Sequence, residues 1–167
     1  MNKEYSMLFQ KNGSESFCKD LQDNFGFVCT SFKTGDIESK ELEHNDWFDS
    51  DGEDTYIPST MRINSFSLTV DLVCSGENNE SMKKLNALVD YLRGAVGGGL
   101  TQDGLFVYSS YLKRGWCGCY FLSMSDISLY VLGNYECLEC SLKLKVCDPV
   151  HQVSVVESSG KYKLTKS

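Results

Sequence analysis

Eight cysteines carry most of the metal and redox potential of this 167-residue chain: Cys18, Cys29, Cys74, Cys117, Cys119, Cys137, Cys140 and Cys147. Zinc asks for four converging ligands in a near-tetrahedral cage. Cys117 and Cys119 would share one face of a strand. Cys137 and Cys140 lie three apart, which on a strand sends them to opposite faces. The segment Glu136 to Cys140 also lacks the glycine of a metal knuckle. An even cysteine count invites disulfides, yet a chain of this length needs no staples. The expectation is reduced thiols used as small apolar side chains, with no bound metal.

Carboxylates come next. Asp49-Ser-Asp51-Gly-Glu53-Asp54 looks at first like a calcium loop. An EF-hand places Gly at its sixth position and Glu at its twelfth. Here Gly52 comes too early, and Thr60 stands where the Glu is needed. The stretch reads as a solvated acidic loop. Catalytic carboxylates need rigid, partly desolvated positions, and only Trp47 and Phe48 offer apolar support. A nucleophilic site needs a histidine beside Ser or Cys. His44 falls in the acidic loop and His151 near the C-terminal end, and no Gly-x-Ser-x-Gly elbow occurs. Gly97-Gly98-Gly99 follows a helical pattern instead of opening one, and lacks the Lys-Ser/Thr of a phosphate loop. The expectation is no catalytic residue, no cofactor and no enzymatic activity.

Composition narrows the partners. The formal net charge of −7 argues against a stable nucleic-acid footprint and against an anionic membrane surface. No apolar run has transmembrane length. Met1 to Gln10 lacks the apolar run of a signal peptide, so folding in a cytoplasm is expected.

The elements that must position these residues form a strand-rich domain over 1–150 and a C-terminal extension over 151–167. From Phe66 to Cys74 every second residue is apolar, which is the pattern of a half-buried strand. From Asn78 the period changes: Met82, Leu85, Leu88, Val89 and Leu92 recur at helical spacing. Asn78 or Asn79 can cap this helix, expected over about 78–93, and Gly94 suits its end. Shorter strands are expected around Glu4–Gln10, Gly26–Lys33, Leu105–Tyr111, Gly115–Met124 and Ile127–Leu132. Ser16–Phe25 is open between a short helix and coil. Tyr135 to Cys147 alternates cleanly and should stop at Asp148-Pro149. The fold expected is mainly β, an antiparallel barrel or sandwich of about seven strands with one amphipathic helix packed on it. A long acidic loop, about 36–56, interrupts it. Aromatics in such a loop either anchor a partner or fold back on their own domain, and Trp47 is open between the two.

Asp46-Trp47, Asp51-Gly52-Glu53-Asp54, Tyr56-Ile57-Pro58-Ser59, the helix ending Leu88-Val89-Asp90-Tyr91-Leu92, and Leu142-Lys143-Leu144-Lys145-Val146-Cys147-Asp148-Pro149 follow one another in order. In that order they resemble the N-terminal domain of distal tail proteins of tailed bacteriophages and prophages, and the wider tail-tube family. The resemblance implies a structural virion subunit. It would form a homo-oligomeric ring, usually hexameric, at the junction of tail tube and baseplate, alongside other tail proteins. DNA would pass through the lumen without stable binding. Tail-tube, terminator and connector roles are alternatives, as is a monomeric β-sandwich that binds a ligand. The candidate subunit contacts are Trp47, Phe48, Asp49, Asp51, Tyr56, Gly98 and Gly99.

Overall fold

The computed structural model describes residues 7–49 and 51–167; the part of the Glu4–Gln10 strand before Met7 lies outside them. Its strands are β1 (Met7–Lys11), β2 (Lys19–Asp20), β3 (Val28–Thr34), β4 (His44–Asn45), β5 (Asp54–Thr55), β6 (Phe66–Glu77), β7 (Leu105–Ser109), β8 (Arg114–Leu132), β9 (Tyr135–Ser158) and β10 (Lys161–Lys166). Two helices join them, α1 (Leu21–Phe25) and α2 (Glu80–Leu92). Eight strands make one antiparallel sheet in the order β2-β1-β7-β8-β9-β6-β3, with β10 added on β9. The pair β4-β5 stands apart.

Strands β8 and β9 are long enough to belong to both halves of this sheet. Tyr120–Leu132 of β8 and Tyr135–Val146 of β9 continue into β6 and β3. Arg114–Cys119 of β8 pairs instead with β7, and Val153–Ser158 of β9 pairs with β10. Register shifts at Trp116/Cys117 and Phe121/Ser123 flank the junction of the halves, and a third at Ser125/Ser128 lies farther along β8. Bulges of this kind bend a strand and raise its twist. The halves thereby face each other across one core. Met7 and Phe9 of β1 and Leu105 and Val107 of β7 meet Phe66, Leu68, Val70, Leu72 and Cys74 of β6 and the even-numbered residues Leu138 to Val146 of β9. Phe32 on the edge strand β3 stacks on Trp116 of β8, ring centroids 5.3 Å apart. The sheet is open, so the sandwich expectation holds and the barrel alternative does not.

Helix α2 adds Leu85, Leu88, Tyr91 and Leu92 to that core. Each fully buried leucine contributes roughly 1.5–3 kcal/mol relative to an exposed one. The buried stripe is turned from the one expected. Ser81 and Tyr91 are inside, whereas Met82 is exposed. The expected asparagine cap is also absent: Asn79 is left-handed, φ 69°, and its side chain makes no capping bond. Gly94 does end the helix, with φ 81° and its N–H donated to the Tyr91 carbonyl at 3.1 Å.

Three further expectations change. Ser16–Phe25 contains the second helix α1, capped by Asp20, whose carboxylate accepts N–H bonds from Gln22 and Asp23. The two strands expected over 115–132 are one. Asp148-Pro149 does not end β9, which runs on to Ser158, because Pro149 falls at the bend between the half-sheets and outside the paired register.

Candidate subunit interface

The long acidic segment is more than a loop. Ser39 bridges Ile63, the Lys40 N–H donates to the Arg62 carbonyl at 2.7 Å, and the Asn64 N–H donates to the Glu38 carbonyl at 2.8 Å. Farther out, β4 and β5 pair His44 with Thr55 and Asn45 with Asp54. Together these contacts make a two-stranded arm between β3 and β6. The sequence could not announce it, because its paired stretches are two residues long and polar. Residues 46–49 and 51–53 lie at its tip. Trp47 is 57 % exposed and Phe48 fully so, and Tyr56 and Ile57 are exposed on the returning side. Trp47 therefore does not fold back into its own core. Asp49 and Asp51 lie on the same tip, and Ser50 is outside the described residues.

Gly98 and Gly99 are elsewhere and are held in place. The buried Lys11 ammonium donates to the carbonyls of Val96 and Gly98, the latter at 2.8 Å. Ser14 Oγ donates to the Gly99 carbonyl at 2.6 Å. Lys11 Nζ also lies 4.3 Å from the centre of the Tyr91 ring, and Tyr91 donates its hydroxyl to Glu15 Oε2 at 2.6 Å. Burial lowers the Lys11 pKa and raises that of Tyr91. The glycine turn is thus pinned to β1, while the arm is anchored at residues 62–64.

Two unpaired edges were not among the candidate residues. Beyond Cys119, β8 is hydrogen-bonded only to β9, and β3 only to β6. The β8 edge and hairpin end are unusually apolar for an exposed surface. Leu122, Ile127, Leu129, Tyr130, Val131, Leu132 and Tyr135 are all exposed there. A flat apolar edge is a template for another chain.

Among the described residues, the cluster that mimics catalytic machinery is Cys117, Asp148 and His151. The Cys117 thiol donates to Asp148 Oδ2 at 3.5 Å, and His151 Nδ1 lies 2.9 Å from the same oxygen. Lys166 Nζ donates to it at 2.8 Å. The imidazole faces the carboxylate and not the sulfur. Burial, with the Asp148 charge, pushes the Cys117 thiol up to about 11, so it is protonated at neutral pH. Burial opposes ionisation of Asp148, but the Lys166 ammonium and the His151 donors outweigh it and hold the carboxyl well below the usual range. Asp148 is a tie between the bend of β9 and the end of β10. All eight cysteines are free thiols. Among the described residues no three His, Cys, Asp or Glu side chains converge to hold a metal ion, and no helix is long and apolar enough to cross a membrane.

One solved structure that shares this architecture, an open antiparallel sandwich with a helix in its core, is that of the SPP1 Dit (gp 19.1) protein, described as a paradigm of the hub adsorption apparatus in phages infecting Gram-positive bacteria. The match has a TM-score of 0.54 and 13 % identity, and covers 91 % of this chain. The chain spans about half of that protein, 53 %. No family model matches the sequence, and no curated protein matches it significantly.

Proposed function

We propose that this chain is a structural, non-enzymatic subunit of a bacteriophage tail, forming a ring of identical copies at the junction of tail tube and baseplate. The observation that carries the reading is the fold it shares with SPP1 Dit over nine-tenths of its length. The edges supply a means of assembly. Along β3-β6-β9-β8 the strands alternate in direction, so β3 and the outer part of β8 run oppositely. A neighbour laying its β3 along β8 would continue the antiparallel pattern. Two different surfaces meet in such a contact, and it closes into a ring when the rotation per copy allows. The same contacts would serve a tube, terminator or connector subunit.

The partners are then other tail proteins, the site of action is the virion, and DNA crosses the lumen without being held. The test is co-purification. The tagged chain, produced with the tail proteins encoded beside it, is expected to come out in a tail-sized particle seen by electron microscopy. Recovery of the chain alone, with every neighbouring tail protein assembling without it, would refute the reading.

A further inference from the structure

One groove on the body is an apolar slot next to a turn that carries basic residues. It lies between β3 and the turn from β7 to β8, with a volume of about 330 Å³, and is lined by Cys29, Phe32, Tyr111 and Leu112 with Thr30, Ser31 and Ser109 at its polar wall. That is the lower end of the range of about 300–1,000 Å³ for pockets that enclose a ligand group. Its rim is basic. Lys113 and Arg114 follow Leu112 directly, and the Arg114 guanidinium sits 5.6 Å from the centre of the Trp116 ring, which itself stacks on Phe32. Lys33 follows Phe32 on β3.

The arm carries the opposite character. Residues 36–56 hold nine carboxylates and one lysine, while the chain as a whole is at −7, so the rest of the molecule is close to neutral. Almost all the net negative charge is on one projecting element that ends in two exposed aromatic rings. Aromatic anchors surrounded by charge that complements a basic rim are the usual composition of an interface centre.

We infer that the acidic arm tip of one copy docks in this groove of a second copy, with Trp47 or Phe48 filling the apolar slot and Asp46, Asp49 and Asp51 facing Lys113 and Arg114. Exposure separates this from docking in the arm's own groove: within the single chain Trp47 is 57 % exposed and Phe48 fully so. The groove begins on β3, which leads straight into the arm's base. The bridges at Ser39–Ile63 and His44–Thr55 hold the two sides of the arm together between its base and its tip. The inference rests on the ring-forming reading above and assigns one of its contacts.

The test uses two variants of the whole chain, W47A/F48A in the arm and L112E in the groove, each checked for folding by circular dichroism. Association is followed by light scattering and by tryptophan emission, with W47F as the blank that reports Trp116 alone, since Trp47 and Trp116 are the two tryptophans. In the parent chain Trp47 emission is expected to shift to the blue as the protein associates. Each variant alone should associate at least tenfold more weakly. Mixed, they should give one-to-one dimers and nothing larger, because a single intact arm then meets a single intact groove. Salt should weaken the contact. Association unchanged in both variants would overturn the arm–groove contact while leaving a ring built on other surfaces standing. A Trp47 emission that never shifts, with the protein monomeric throughout, would overturn the contact and the ring together.

Discussion

The Glu136 carboxylate accepts the backbone N–H of Ser81 at 2.9 Å. Glu136 lies on β9 and Ser81 at the start of α2, so the helix is capped across the fold and not by its own sequence. Glu136 is buried, which removes water as a substitute partner. E136A is expected to destabilise the protein by about 1–2 kcal/mol, the scale of a lost N-cap made worse by burial. N79G, at the nominal cap position, should leave stability nearly unchanged, since the Asn79 side chain makes no capping bond and glycine accepts its left-handed φ of 69°. The midpoint of urea unfolding for the two variants checks this.

The buried stripe of α2 gives a second pair of outcomes. L88A removes a fully buried side chain and should cost about 2–5 kcal/mol. M82A, at an exposed position, should stay within about 0.5 kcal/mol. Equal effects would mean that the helix is rotated from the orientation described.

Asp148 predicts a pH dependence. Its carboxyl is held well below the ordinary value in the folded chain by Lys166 and His151 against the cost of burial. A depressed acid contributes its stability above the unfolded pKa, near 4, and loses it as pH falls below that value. The melting temperature of the parent chain should therefore exceed that of D148N near neutral pH, and the gap should narrow below about pH 4. A constant gap down to pH 3 would contradict the tie.

Thiol chemistry separates the cysteines. Cys119 and Cys140 are buried, and burial pushes the thiol of Cys140 up to about 12 and that of Cys119 higher still. Cys147 is the exposed thiol. In native protein a thiol reagent should consume Cys147 first, and C147S should remove the fast phase while the slow phase persists. A fast reaction at Cys117 would contradict the protonated, buried state described for it.

The alternation in β6 and β9 was legible because each strand buries one face and wets the other, and period two survives in the residue types. The helical stripe of α2 was legible in period but not in phase: Met82 is as apolar as Leu85, and only packing against β1 and β9 selects Ser81 and Tyr91. The cap at Glu136 lies 55 residues from Ser81, beyond any local signal. The arm was visible as an acidic excursion, but its pairing rests on single backbone bridges that leave no pattern. The apolar edge of β8 was legible as strand but not as surface, because an exposed apolar edge has the same composition as a buried one.

The central claim is that copies of this chain assemble into a ring. Light scattering across tens to hundreds of micromolar tests it most directly. The account predicts a mass rising from that of the 18.8 kDa single chain to one closed multiple of it, and a plateau there. A mass that stays at the single chain at every concentration, or one that grows without limit, would contradict it.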